Sequence, residues 1–398
     1  MDLTCDILVA GAGPAGLAAA ALAARDGASV ICLTGPEASS ADPRTVALMQ
    51  PSLRLLAALG LWPGELMAQS APLRKLRLVD DTGSLLSAPH LTFDARETGE
   101  EAFGWNIPLA HLIPALKARA QALGARFIAD SATGLTQQGN FAAVSRAEGE
   151  PIFARAVFAA DGRASVLRQA AGITVSDWAY EQSALVTSFA HSGEHRGIST
   201  EYHKPTGPFT TVPLPGRRSS LVWMERPERA RELAGLPATE LAREIQAQSH
   251  GELGLISDCA PAHVFPMRGL TAREFAKARV FLIGEAAHVV PPIGAQGLNM
   301  SLRDAALAAE LAADAAQWGD DPGAEPILRK YDERRRADVL PRQGVIDVMN
   351  RSLLADLMPL DAARAIGIGM AGHVPFLRDL VMRQGLSPQT GLPRLMRA

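Results

Sequence analysis

Three short clusters in this sequence set small residues beside a carboxylate or an open backbone, a combination that suits a ligand carrying phosphate and sugar hydroxyls. The first is Gly11-Ala12-Gly13-Pro14-Ala15-Gly16 and the second Ala160-Asp161-Gly162-Arg163. The third starts at Gly284-Glu285 and continues through Pro291-Pro292-Ile293-Gly294 to Gln296-Gly297-Leu298-Asn299. Glycines leave backbone N–H groups bare where a helix begins, and such groups hold phosphate, while a strand-end carboxylate accepts hydroxyls. An isolated Asp-Gly equally serves as a β-turn and helix cap. No acid–base pair and no metal-ligand set stands out, so no metal is expected and the catalytic residues stay unassigned.

These clusters need strands that end where they begin. Asp6 to Ala10 reads as a buried strand, Pro14 to Arg25 as a helix and Ser29 to Leu33 as a second strand, the βαβ opening of a parallel sheet. In its turn Gly11 permits the tight bend, Gly13 lets a pyrophosphate approach the backbone, and Gly16 lets helix and strand pack closely. A carboxylate should close the second strand and take ribose hydroxyls, but Thr34, a weaker acceptor, stands there. Ala154 to Asp161 repeats the strand-to-acid pattern and leads into a short helix, Ser165 to Ala171. Val280 to Ile283 is the strand before the third cluster. On the helix after it, Arg303, Glu310 and Asp314 share one face, and Leu302, Ala306, Ala309 and Ala313 another.

Elsewhere Thr45 to Leu61 and Leu109 to Leu123 read as helices, and residues 72–100 as strands and turns. From Ser183 to Met267 short alternating strands predominate, interrupted by one helical insertion, Ala230 to Ser249. The run Arg334-Arg335-Arg336 reads as a solvated helix face. The 398 residues allow two domains, and the net charge of −3 gives no reason to expect nucleic acid as a partner. Cys5, Cys32 and Cys259 are scattered, which fits a reducing compartment. The apolar run Ile7 to Ala24 is interrupted by glycines, and no signal peptide is evident, so the expected location is cytoplasmic.

With these motifs in order, the chain resembles the single-component flavin aromatic hydroxylases of the para-hydroxybenzoate hydroxylase fold. The likeness extends through Asp42-Pro43-Arg44-Thr45, Ser52 to Leu56, Leu59 to Trp62, Gly207-Pro208, Pro213-Leu214, Ser220 to Trp223 and Phe265-Pro266. Pro291 to Ile293, Gln296 to Asn299 and Leu302 to Asp304 resemble the ubiquinone-biosynthesis hydroxylases within that group, and Asn350 to Leu354 with Met382-Arg383 their α-proteobacterial type. The resemblance implies an α/β (α+β overall) architecture, a Rossmann-like FAD-binding domain with an inserted, mostly antiparallel β-sheet substrate domain and a C-terminal helical segment. The boundaries expected are 1–70 with 101–182 and 268–320 for the FAD-binding domain, 71–100 with 183–267 for the substrate layer, and 321–398 for the helical region.

The resemblance also implies roles. Gly11, Gly13, Pro14, Ala15 and Gly16 would hold the FAD pyrophosphate, with Thr34 near the adenosine and Arg44 reaching the same cofactor. Asp161, Gly162 and Arg163 would meet FAD and NAD(P)H. Gly284 and Glu285, the latter where the family usually has Asp, would bind a ribityl or ribose hydroxyl. Pro292, Gly294, Gly297, Leu298 and Asn299 would lie against the flavin ring.

His288, Pro291 and Pro292 are candidates for a catalytic part, with a packed structural histidine the alternative for His288. Tyr202 and His203 could face an aromatic substrate or serve strand packing. The implied reaction is hydroxylation of a polyprenylated phenol through a flavin hydroperoxide, using O2 and NAD(P)H. A same-fold hydroxylase of a soluble aromatic, or a non-catalytic component of a biosynthetic assembly, are the alternatives. The tail 341–398, with seven Arg, four Asp and no Lys, suits a peripheral contact with the inner face of a membrane. A core-capping helix or a dimer seam is the other reading of it, so a homo-oligomer or a biosynthetic complex is also expected.

Overall fold

The computed structural model describes residues 3–35, 42–83, 90–354, 382 and 391–398. Its first sheet is built on five parallel strands in the order Val280–Leu282, Ile152–Ala159, Leu3–Ala10, Val30–Leu33, Arg126–Ile128. The inner strands are buried on both faces, which is why they read as near-continuous apolar runs. Phe141–Arg146 and Val280–Leu282 share one edge of Ile152–Ala159, the former antiparallel at its start and the latter parallel at its end. Helix Pro14–Arg25 packs on this sheet against the alanine-rich helix Gln296–Gln317, so the small-residue stripe does bring two helices close.

Among the described residues the second sheet has nine strands. Its main path runs His288–Val289, His263–Ala272, Val175–His191, Arg218–Glu225, Gly207–Leu214, Ile198–Lys204, Lys75–Asp80, Leu91–Asp94, antiparallel except where Ile198–Lys204 pairs with Lys75–Asp80. The boundaries expected at 182/183 and 267/268 fall inside continuous strands, because Val175 pairs with Ala272 as Ala184 pairs with Phe265. One face is sealed by two helices, Pro227–Ala234 and Ala238–Gln248, over Leu185, Tyr202, Phe209 and Trp223. Two helices replace the single insertion expected, since Pro237 breaks the run.

The third sheet is small and sits between the other two, with Gly104–Pro108 flanked by Thr45–Met49 and Ala71–Leu73. Its first strand corrects a sequence expectation. Thr45 to Met49 is extended, and helix begins only at Gln50. The apolar spacing Leu48, Leu55, Leu56, Leu59 mimics one helical face, but Gly104–Pro108 supplies a strand partner that no local pattern reveals.

The arginine run is corrected too. Arg335 is 1% exposed and its Nε donates to Asp304 at 2.6 Å. Arg334 reaches Glu310, and Arg336 reaches Asp332 and the Arg273 carbonyl. They lie on the helix Glu325–Leu354, which lies over the first sheet and the helix Gln296–Gln317. The chain end returns to the same core, with Leu392 and Met396 buried and the Arg394 N–H donating to Glu310. Of the tail 341–398 expected to contact a membrane, residues 355–381 and 383–390 lie outside the described residues. No helix among the described residues is long and apolar enough to cross a membrane.

Candidate active site

Parallel register brings the three clusters together. Ala10, Ala159 and Leu282 are neighbours across adjacent strands, so Gly11, Asp161 and Gly284 all follow at the carboxyl edge, where ligands of open α/β sheets bind. Each glycine meets a different space. A Cβ on Gly11, at φ +109°, would stand 2.1 Å from the Ala160 carbonyl oxygen, and one on Gly16 2.1 Å from that of Gly11. A Cβ on Gly13 would meet nothing within 4 Å. The first two are required by packing; the third faces open space. Pro14 starts the helix and Ala15 lies against Gly284.

The stretch from Pro291 to Asn299 passes through two left-handed residues, Gly294 at φ +63° and Ala295 at φ +54°. A non-glycine in that region is strained by about 1–3 kcal/mol, and here it opens the helix Gln296–Gln317. Among the described residues neither this helix nor Pro14–Arg25 has a side-chain cap, so both direct their first turns toward the same edge. Pro292 is exposed, Gly294, Gly297 and Leu298 are half-buried, and Pro291 is buried. Asn299 is buried, with Nδ2 donating to the Ala47 carbonyl and Oδ1 accepting from the Met49 N–H and the Ser52 hydroxyl.

Glu285 is exposed between buried neighbours, and its carboxylate has no hydrogen bond among the described residues. It faces Arg44 electrostatically. The bidentate bond to Asp42, with a smaller contribution from Glu285, holds the Arg44 pKa above its ordinary value, and its guanidinium lies 5.6 Å from the Phe265 ring centre.

Asp161 takes up the turn and helix-cap role that an Asp-Gly can equally serve. Its carboxylate accepts from the Ser165 hydroxyl at 2.5 Å and from the Leu167 N–H at 3.2 Å, the work of a turn and helix start. Gly162 takes φ +80°, and Arg163 points out with an exposed side chain. Arg168, which follows the second cluster in the sequence, had no role assigned to it there. Buried, it donates to the carbonyls of Ala286 and Arg163 and so ties the second cluster to the third. Thr34 spends its proton on the Gly35 carbonyl, leaving only acceptor capacity.

His288 is 2% exposed, and its Nε2 lies 2.7 Å from Asp304 Oδ2. The same oxygen accepts from the Gly284 N–H at 2.9 Å. The histidine therefore packs behind the third cluster and does not line its open side.

Above the turn lies the inner face of the nine-stranded sheet. Strand alternation places Glu201, Thr210 and Val222, which are mutual partners, on the face shared with Leu78. Leu78 and Ala295 pack against one cluster that includes Met49, Leu73 and Phe93, so this face looks onto the Pro291–Asn299 turn. Thr210, Val212, Val222 and Phe265 remain half-buried there, whereas the helix-covered face is sealed. Tyr202 and His203 part company: the tyrosine is buried on the covered face, its hydroxyl donating to Glu252, and the histidine lies inside against Glu201 at 2.8 Å.

Open backbone over Gly13, two uncapped helix starts and an unoccupied strand-end carboxylate match the pyrophosphate and hydroxyls of FAD. The class so defined is a dinucleotide-binding protein whose open sheet edge faces a second sheet. A family model for an FAD binding domain matches residues 4–340. Ubiquinone hydroxylase UbiL of Rhodospirillum rubrum is 33% identical over 408 aligned positions, spanning 100% of this chain and 93% of that one. The 3-demethoxyubiquinol 3-hydroxylase of Escherichia coli is 29% identical, over 96% of this chain and 98% of that one. Among solved structures, p-nitrophenol 4-monooxygenase PnpA from Pseudomonas putida DLL-E4 shares the fold, with a TM-score of 0.78 at 19% identity over 97% of this chain and 99% of that one. The chain belongs to the FAD-dependent hydroxylases of ubiquinone biosynthesis.

Proposed function

We propose that the chain hydroxylates the aromatic ring of a polyprenylated phenol, taking electrons from NAD(P)H and oxygen from O2. The observation that carries this reading is the half-buried inner sheet face, Thr210, Val212, Val222 and Phe265, set opposite the Pro291–Asn299 turn. When bound, FAD supplies the redox chemistry and the activation of oxygen. The chain supplies position and exclusion of water. In this reading Gly13 and the N–H groups after it hold the pyrophosphate, Glu285 accepts a hydroxyl of the cofactor's sugar or ribityl chain, and Arg44 balances negative charge beside it. Gly297, Leu298 and Asn299 would lie against the flavin ring. The mostly apolar lining between sheet and turn suits a phenol ring with a prenyl tail and keeps water from the reacting carbon.

Exposed apolar side chains on the helix Glu325–Leu354, Val345, Val348 and Met349, support peripheral membrane contact through 341–398. Flotation with anionic liposomes compares the full chain with a Val345→Glu/Val348→Glu variant; equal flotation removes this part of the reading. For the reaction itself, purified enzyme with NAD(P)H and a short-chain prenylated phenol is expected to give a product one oxygen heavier by mass spectrometry. A colourless protein that takes up no FAD, or turnover confined to unprenylated soluble phenols, would refute it.

A further inference from the structure

Asn106 occupies the central strand of the small sheet, directly between Ala47 and Ala71. It is 0% exposed, and among the described residues neither its amide nitrogen nor its amide oxygen has a hydrogen-bond partner. Such a group costs about 1–3 kcal/mol for each unmet polar atom, whereas an apolar residue of the same shape would cost nothing. The side chain is therefore a poor choice for packing alone.

Its direction follows from register. Residues directly opposite on antiparallel strands share a face, so Asn106 points the same way as Ala47 and Ala71 and, two positions along, Met49 and Leu73. Trp105 and Ile107 point the other way, into the parallel-sheet core. Met49 and Leu73 cluster with Phe93, and Ala47, Leu76 and Ala295 pack against them. The amide thus points to the side where the Pro291–Asn299 turn and the inner sheet face meet. Ala47, its half-buried neighbour, accepts from Asn299 Nδ2 at 2.8 Å. One strand spacing, about 4.8 Å, separates Asn106 from the residue that touches this turn.

We propose that Asn106 orients the substrate ring, its amide donating to and accepting from a ring hydroxyl when the phenol fills the cleft. The inference rests on the phenol hydroxylation set out under Proposed function. An amide carries both donor and acceptor, which matches a hydroxyl better than a methoxy group or a quinone carbonyl, either of which only accepts. Its flanking residues, Ala47 and Ala71, carry single methyl groups and so obstruct the amide little on either side. Asn106 is a positioning residue in this account, and the reacting carbon is presented correctly because the hydroxyl is held.

The test uses purified FAD-loaded enzyme, a short-chain prenylated phenol, and the variants Asn106→Leu and Asn106→Ser. Three quantities are read: the thermal midpoint without substrate, the phenol dissociation constant from the flavin absorbance change, and product formed per NAD(P)H consumed. The expected result for Asn106→Leu is a midpoint unchanged or raised, phenol affinity weakened about tenfold by the loss of two hydrogen bonds, and fewer products per NAD(P)H. Asn106→Ser, which keeps a donor and an acceptor, recovers part of the affinity. Phenol affinity and product yield unchanged in Asn106→Leu would overturn the proposal, and so would its failure to fold. If the wild-type enzyme binds FAD but no phenol, the functional reading falls and takes this inference with it; if wild type turns over normally and only the variant result disagrees, this inference falls alone.

Discussion

Asp304 offers a severe test of how the third cluster is held. Its carboxylate is 0% exposed and accepts three hydrogen bonds, from the Gly284 N–H, His288 Nε2 and Arg335 Nε. Burial works against the charge of Arg335, yet Asp304 and Asp338 hold its pKa above the ordinary arginine range. Asp304→Asn keeps the shape, removes the charge and turns an amide N–H₂ toward at least one donor. Breaking a buried pair by removing one partner costs about 3–5 kcal/mol. At about 2.1 cal/mol/K of unfolding entropy per residue, a 398-residue chain has roughly 0.8 kcal/mol/K. The thermal midpoint of the FAD-loaded protein should therefore fall by about 4–6 °C. Arg335→Met should be similarly harmful alone, and the double variant should lose less than the sum, because no unpaired buried charge remains. Differential scanning fluorimetry of the four proteins reads this directly. A shift below about 1 °C for Asp304→Asn, or strictly additive losses, would refute the reasoning.

The remaining expectations concern cofactor and pH. Gly13→Ala should fold with a near-normal midpoint but bind FAD weakly, because its Cβ projects into open space; Gly11→Ala, driven into the Ala160 carbonyl at positive φ, should lose several kcal/mol of stability. Fluorescence titration and urea unfolding separate the two, and matching behaviour would contradict the assignment. Glu285→Ala should weaken FAD binding by about 10- to 150-fold, the worth of one charged hydrogen bond, with an unchanged apoprotein midpoint; unaltered affinity would remove Glu285 from the site. Burial opposes ionisation of Asp338, but Arg335, Arg303 and Arg342 overcome it and hold its pKa below the usual carboxylate range. A depressed folded pKa stabilises fully above the unfolded value of about 3.9 and less as pH falls below it. Asp338→Asn should therefore narrow its deficit against wild type as pH drops from about 5 to 3, and a deficit constant across that window would contradict this.

What could be read early was local. The βαβ opening and the helix Pro14–Arg25 follow from turn glycines and an apolar strand, signals contained within a few residues of each other. The three clusters were visible for the same reason, and the parallel register of Ala10, Ala159 and Leu282 then aligns them. What could not be read depends on partners far away in sequence. Thr45–Met49 is a strand because Gly104–Pro108 lies beside it, and Arg335 is buried because Asp304, 31 positions earlier, receives it. Asp161 showed the limit of a motif, since its carboxylate spends two bonds on its own turn. Asn106 gave no signal: a polar residue in a strand is ordinary until its surroundings prove apolar.

The central claim is that this chain uses FAD to hydroxylate a quinone precursor. Its most direct test is mass spectrometry of quinones and their precursors in the native host lacking the gene, complemented with wild type or with Gly13→Asp, whose carboxylate would repel the pyrophosphate. The account predicts a prenylated phenol one oxygen atom short that accumulates in the deletion strain and in the Gly13→Asp strain and disappears with wild type. Unchanged ubiquinone with no accumulated precursor, or full rescue by Gly13→Asp, would contradict it.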